Sequence, residues 1–167
     1  FQSSSDTEII VHLVARSHQD TVVDRLIDAI KQIEGAFSLV CIAKDMLIGL
    51  RDPHGIRPLV LGKHGDAFVL ASETCALDIV GASFVRDVDP GEIVIITKNG
   101  INSRKPFQPQ SHRFCIFEYI YFARPDSILE GRGVYHARKS IGAELAKEAP
   151  ADANLVVPVP DSGVPAA

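Results

Sequence analysis

Three short stretches of the chain carry residues whose types and spacing can do chemistry. Ser5-Asp6-Thr7-Glu8 sets two carboxylates at the start of an apolar, helically spaced run. A carboxylate at a helix start can accept charge-assisted hydrogen bonds. Without a ligand the same acid only complements the helix dipole, worth about 0.3–1 kcal/mol. Arg51-Asp52-Pro53-His54-Gly55-Ile56-Arg57-Pro58-Leu59 places two guanidiniums, an acid and a glycine turn at the end of an apolar strand. Read locally, Asp52 and Arg57 form a surface pair worth about 0–1 kcal/mol. Cys115 precedes Glu118-Tyr119-Ile120-Tyr121-Phe122-Ala123-Arg124-Pro125-Asp126-Ser127, where aromatic alternation breaks into polar residues. Beside Phe114 and Ile116 its side chain reads locally as a packed thiol.

Other chemistries find less support. The six histidines are dispersed, with no H-E-x-x-H pattern and no Cys/His pairing that would hold zinc. His12 is an ordinary i, i+4 neighbour of Glu8. Val157-Pro158-Val159-Pro160-Asp161-Ser162-Gly163 has a glycine-bearing loop that would face phosphate, but one Gly and no Lys fall short of a phosphate-loop signature. A net charge of −4 and a pI near 5.8 supply no basic field for nucleic acid. No apolar run reaches the roughly 20 residues of a membrane span, and the first residues lack a signal-peptide profile. Three cysteines without a CxxC fit a reducing compartment, and the chain reads as cytosolic.

The elements that position these residues follow from periodicity. The S-x-x-E capping box predicts a helix starting near Asp6, with Ile9, Ile10, Leu13 and Val14 on its stripe. Asp20 is the expected cap of a second helix that carries Val22, Val23, Leu26, Ile27, Ile30 and Ile33 and stops at Gly35. Ala36 to Ala43 and Met46 to Leu50 read as a hairpin through Lys44-Asp45, and Leu59 to Leu61 with Ala67 to Ala71 as another. A brief helix is predicted over Thr74 to Val80, and strands over Phe84 to Val88 and Glu92 to Thr97. These predict one antiparallel sheet from Ala36 to about Thr97, with both N-terminal helices on one face. The polar stretch Ser103 to Arg113 reads as a connection between folding units, which divides the chain into residues 1–110 and 111–167. Beyond it a strand is predicted over Phe114 to Phe122, a loop over Ser127 to Gly133, a helix over Ala137 to Glu148 and a strand over Leu155 to Pro160. Strand, helix and strand begin an α/β unit. The only Met is Met46 and the chain starts at Phe1, so it is expected to be an internal fragment.

On the Arg51 to Leu59 and Glu118 to Ser127 blocks, nearly the whole chain resembles the middle of the glutamine phosphoribosylpyrophosphate amidotransferase family. The resemblance implies an α+β fold: the C-terminal half of an N-terminal-nucleophile glutaminase αββα sandwich over 1–110, then a junction and the start of a phosphoribosyltransferase domain over 111–167. It implies the conversion of phosphoribosyl pyrophosphate and glutamine to 5-phosphoribosylamine, glutamate and pyrophosphate, the committed step of purine synthesis. In this family the Asp of an S-D-[ST]-E stretch binds the glutamine α-ammonium, the role that falls on Asp6. Cys115 matches the first ligand position of the 4Fe–4S cluster found in some members. Magnesium is implied at a site outside this chain, and a homo-oligomer as the assembly. The N-terminal cysteine nucleophile, the glutamine-binding segments and the phosphoribosyl-binding loop also lie outside it, so the chain alone is expected to be inactive. Two alternatives stand beside this: a relative of the glutamine–sugar-phosphate aminotransferases, or a non-catalytic glutaminase-like binding domain.

Overall fold

In the computed structural model residues 2–167 are described. Two helices open the chain, α1 (Glu8–Arg16) and α2 (Val22–Ile30). Seven strands follow: β1 (Ser38–Ala43), β2 (Met46–Arg51), β3 (Val60–His64), β4 (Ala67–Ala71), β5 (Ser83–Asp87), β6 (Ile93–Thr97) and β7 (Gly100–Arg104). Helix α3 (Thr74–Ile79) lies between β4 and β5. The single sheet expected from the strand pattern is instead two antiparallel sheets, ordered β1-β2-β6-β7 and β4-β3-β5. Strand β5 joins the smaller sheet because β3 pairs with it on the side opposite β4.

Strand alternation explains the layering. Ile48 and Leu50 of β2 and Ile93 and Ile95 of β6 pack against Val23, Leu26 and Ile30 of α2. The next residues along β6, Val94 and Ile96, point the other way and meet Leu59, Leu61 and Val88 between the sheets. Val60 on the far face of β3 packs on Leu77 of α3. The order is therefore helices, sheet, sheet, helix. Each fully buried Ile or Leu contributes about 1.5–3 kcal/mol, so the central strands dominate this core. Gly49 on β2 permits the sheets to approach, because a Cβ there would stand 2.8 Å from Leu70 Cδ1.

Local caps differ from expectation. Glu8 does not close a box with Ser5; its carboxylate accepts from the N–H groups of Gln2 and Ser3 and from the Ser3 hydroxyl, at 2.6–2.8 Å. Those bonds, the Gln2 N–H first, hold its pKa down at about 2. The cap of α2 is Thr21 rather than Asp20, its hydroxyl accepting from the Asp24 N–H at 3.1 Å.

A separate small core gathers Tyr119, Ala123, Leu129 and Val134. Glu118–Phe122 is not the predicted strand but a π-helical turn, closed by the Ala123 N–H on the Glu118 carbonyl at 3.1 Å. The predicted loop after it contains a tight hairpin, β8 (Ile128–Leu129) and β9 (Arg132–Gly133), and α4 spans Val134–Glu148. Leu155 to Pro160 forms no strand. Its apolar side chains are exposed, and Pro158 and Pro160 lack the N–H groups that a ladder needs.

Candidate functional site: a cleft at a seam

The Arg51 to Leu59 stretch is a rigid connector between β2 and β3. Asp52 is fully buried, and its carboxylate accepts from the His54 N–H at 2.9 Å and the Ile56 N–H at 3.0 Å. It does not pair with Arg57 as the local reading expected, because closing the turn around Gly55 (φ +61°) points both carboxylate oxygens at backbone donors. Arg51 is 1% exposed and donates to the carbonyls of Arg57 (2.8 Å), Val88 (2.7 Å) and Gly55 (3.1 Å). Its remaining NH2 bond reaches Glu130 Oε1 at 2.6 Å. Glu130 occupies the tip of the β8–β9 hairpin at φ +47°, a conformation a glutamate adopts at a cost, and there it meets Arg51.

A second guanidinium from the same connector also crosses to the later part of the chain. Arg57 Nε lies 2.9 Å from Glu118 Oε1, and its guanidinium sits 4.6 Å above the Phe122 ring. Further stitches run along this seam. The Cys115 N–H donates to the Ile56 carbonyl at 3.0 Å. Glu73 at the start of α3 accepts from the Arg124 N–H and the Ser127 hydroxyl, and the Ile128 N–H donates to the Thr74 hydroxyl. The two motifs singled out in the sequence are thus the two sides of one contact.

A cavity of about 590 Å³ opens at this seam, and Asp6, Arg57, Glu73, Glu118 and Phe122 line it together. Asp6 is exposed in the turn ahead of α1. Glu118 is 3% exposed. Burial pushes its carboxyl pKa up; Arg57 pulls the other way and Glu73 adds to the rise. An exposed acid, a guanidinium and a buried carboxyl share one cleft, a set that can bind a small polar molecule. Glu73 and Glu130 were not legible as site residues, since each acts across a long sequence separation and neither carries a local signature, whereas Glu118 stood in a motif without an individual role.

The cysteines are scattered. Cys41 lies in β1 and Cys75 in α3, and burial raises the pKa of both thiols. Cys115 is half-buried on the segment that docks on Ile56. Among the described residues no three His, Cys, Asp or Glu side chains gather into a metal-sized group. A 4Fe–4S cluster takes four thiolates, and this arrangement supplies one at most, so these residues by themselves do not fit it.

Comparison with known proteins places these observations. Residues 1–78 match a glutamine amidotransferase domain family. An amidophosphoribosyltransferase of Rhizobium etli is 55% identical over 99% of this chain and 34% of its own length. That of Bacillus subtilis is 44% identical over 100% of this chain and 35% of its own, and a chloroplastic one of Arabidopsis thaliana 46% identical over 100% and 30%. The chain thus spans about a third of the length of these relatives. A solved structure of the B. subtilis glutamine phosphoribosylpyrophosphate amidotransferase, complexed with ADP and GMP, superposes with a TM-score of 0.95 at 43% identity, covering 99% of this chain and 36% of that one.

Proposed function

We propose, for a chain that belongs along its whole length with the amidophosphoribosyltransferases, that it supplies the seam of an enzyme making 5-phosphoribosylamine from glutamine and phosphoribosyl pyrophosphate. Residues 1–110 are read as the C-terminal part of a glutaminase domain, and 111–167 as the junction and start of a phosphoribosyltransferase domain. The observation that carries this reading is the cavity shared by Asp6 on one side and Glu118 and Phe122 on the other. Two half-reactions joined by a diffusible nitrogen need such a shared space.

In this reading Asp6 holds the α-ammonium of glutamine, which selects an amino acid amide over a simple amide. A nucleophile outside this chain bonds to the carboxamide carbon, the C–N bond breaks as the nitrogen takes up a proton and leaves as ammonia, and water then hydrolyses the acyl intermediate to glutamate. The ammonia lone pair then forms a bond to the ribosyl carbon as pyrophosphate leaves with its own bonding pair. The Arg51 and Arg57 anchors keep the connector, and with it the cleft wall, in one register against the Glu118 turn. Magnesium, when bound, would neutralise pyrophosphate charge at a site beyond this chain. Cys115 would donate one thiolate to a cluster only if the parent protein brings three more. A cytosolic homo-oligomer, with the isolated chain inactive, completes the reading.

The test uses the full-length enzyme with glutamine and phosphoribosyl pyrophosphate. The expected result is glutamate and pyrophosphate in equal amounts, with ammonia able to replace glutamine. Glutamate release with no pyrophosphate, or amination of a hexose phosphate, would reject it in favour of a glutaminase-like or sugar-phosphate relative.

A further inference from the structure

The Asp6 carboxylate is exposed and forms no hydrogen bond or ion pair among the described residues. Its direction is therefore set by the backbone turn that carries it. That turn lacks an ordinary helix cap: Thr7 precedes α1 with helical dihedrals (φ −65°, ψ −17°), and its hydroxyl caps no N–H. What closes the turn is Glu8. Its carboxylate accepts from the Gln2 N–H at 2.6 Å, and from the Ser3 N–H and the Ser3 hydroxyl, each at 2.8 Å. The Ser3 hydroxyl oxygen accepts in turn from the Ser5 N–H at 3.2 Å, and the Glu8 N–H returns to the Ser5 carbonyl at 3.2 Å. These bonds make a closed ring of residues 2–8, and Asp6 lies inside it.

Glu8 itself is not placed to meet a ligand in the seam cavity. Asp6 lines that cavity, whereas Glu8 lines a separate hollow between α1 and β1, beside Val11 and Cys41. Both Glu8 oxygens are engaged, Oε1 also lying 3.3 Å from His12 Nε2, and the side chain is only 14% exposed. Held at a pKa of about 2 by the Gln2 and Ser3 donors, the acceptor is fully charged at neutral pH, and charge-assisted bonds are the stronger kind. We propose that Glu8 is a positioning residue for glutamine binding: its carboxylate ties residues 2 and 3 back across the turn and so aims Asp6 at the α-ammonium of the ligand. The inference rests on the role proposed above for Asp6.

A carboxylate that must meet an ammonium gains from being held in place before the ligand arrives. Loosening the ring lets Asp6 turn away. Ammonia supplied directly bypasses amino acid binding, so the loss falls on the glutamine KM and spares transfer from ammonia.

In the full-length enzyme, wild type, Glu8→Gln, Asp6→Asn and the double variant are compared for three quantities: glutamine KM, glutamate release at saturating glutamine, and pyrophosphate release with ammonia replacing glutamine. Glu8→Gln keeps the side-chain length but sets an NH2 group against N–H donors. It is expected to raise the glutamine KM about five- to tenfold, with the other two rates within about twofold of wild type. Ser3→Ala, which removes the hydroxyl from the ring and leaves both backbone bonds to Glu8, is expected to raise that KM about two- to threefold. Because Glu8 acts through Asp6, the double variant should match Asp6→Asn alone within about twofold. An unchanged glutamine KM in Glu8→Gln, or increases that multiply in the double variant, would overturn the proposal. Equal loss of the glutamine- and ammonia-dependent activities, with a lowered Tm, would overturn it in favour of a structural role. If Asp6→Asn leaves the glutamine KM unchanged, the Asp6 reading fails first, and that result is read from a sample whose Glu8 is intact.

Discussion

Replacing Arg51 by Met is the most informative perturbation of the seam, since Met keeps most of the aliphatic volume and removes every donor. Three carbonyls, of Arg57, Val88 and Gly55, lose a partner, and so does Glu130. The bonds to Val88 and Gly55 are buried, and each orphaned buried acceptor costs about 1–3 kcal/mol. Relief from holding a desolvated guanidinium offsets part of the sum. Two such acceptors, less that offset, set the expected loss at about 2–4 kcal/mol. Glu130→Gln is the control: the Glu130 side chain is 30% exposed and Gln keeps an acceptor, so it should cost no more than about 1 kcal/mol. Urea unfolding of both variants measures this, as a shifted midpoint with an unchanged slope. A loss under about 1 kcal/mol for Arg51→Met, or equal losses for both variants, would refute the claim that the carbonyls rather than the ion pair make Arg51 indispensable.

Other perturbations test separate parts of the account. Gly62→Ala would set a Cβ 2.6 Å and 2.9 Å from the two Leu77 methyls, so it should cost about 1–3 kcal/mol in thermal or urea unfolding, and combined with Leu77→Ala the two losses should sum to less than their separate values. Burial alone would raise the Glu92 pKa, but two hydrogen bonds from Arg86 and one from the Asp89 N–H outweigh it and hold it below the ordinary 4.5. Its stabilising contribution is therefore complete above pH 4.5 and is lost as pH falls through the lowered folded-state value, so Glu92→Gln should flatten the acid limb of a stability-against-pH curve; an unchanged slope would contradict this. If the full-length protein brings three further cysteines to Cys115, anaerobically purified protein should contain iron and sulfide that disappear with Cys115→Ser, and iron-free wild type would return Cys115 to a packed thiol.

Contrast in the pattern decided what was legible. The β1–β2 hairpin could be read because Lys44-Asp45 interrupts two apolar runs, and α2 because its stripe repeats at helical spacing. Glu118 to Phe122 misled because Tyr119, Ile120, Tyr121 and Phe122 are all large and apolar, so alternation carried no polar contrast. What fixes that turn is burial of Glu118, Tyr119 and Ala123 on one helical face. Thr21 and Asp20 are both competent caps one residue apart, and only the geometry of the Asp24 N–H chooses between them. The site was half legible. Its two motifs stand out by composition, but their contact depends on Arg51 reaching Glu130 and Arg57 reaching Glu118, long-range pairings that no local spacing encodes.

If Asp6 serves an amino acid amide in a cleft that feeds a separate transfer reaction, its carboxylate is needed by one half-reaction and not by the other. Asp6→Asn in the full-length enzyme, assayed with glutamine and then with ammonia at saturating phosphoribosyl pyrophosphate, tests it most directly. The expected result is a glutamine KM raised at least about tenfold with ammonia-dependent pyrophosphate release within about twofold of wild type, because only the amide half uses that carboxylate. Equal loss of both activities, or an unchanged glutamine KM, would contradict it.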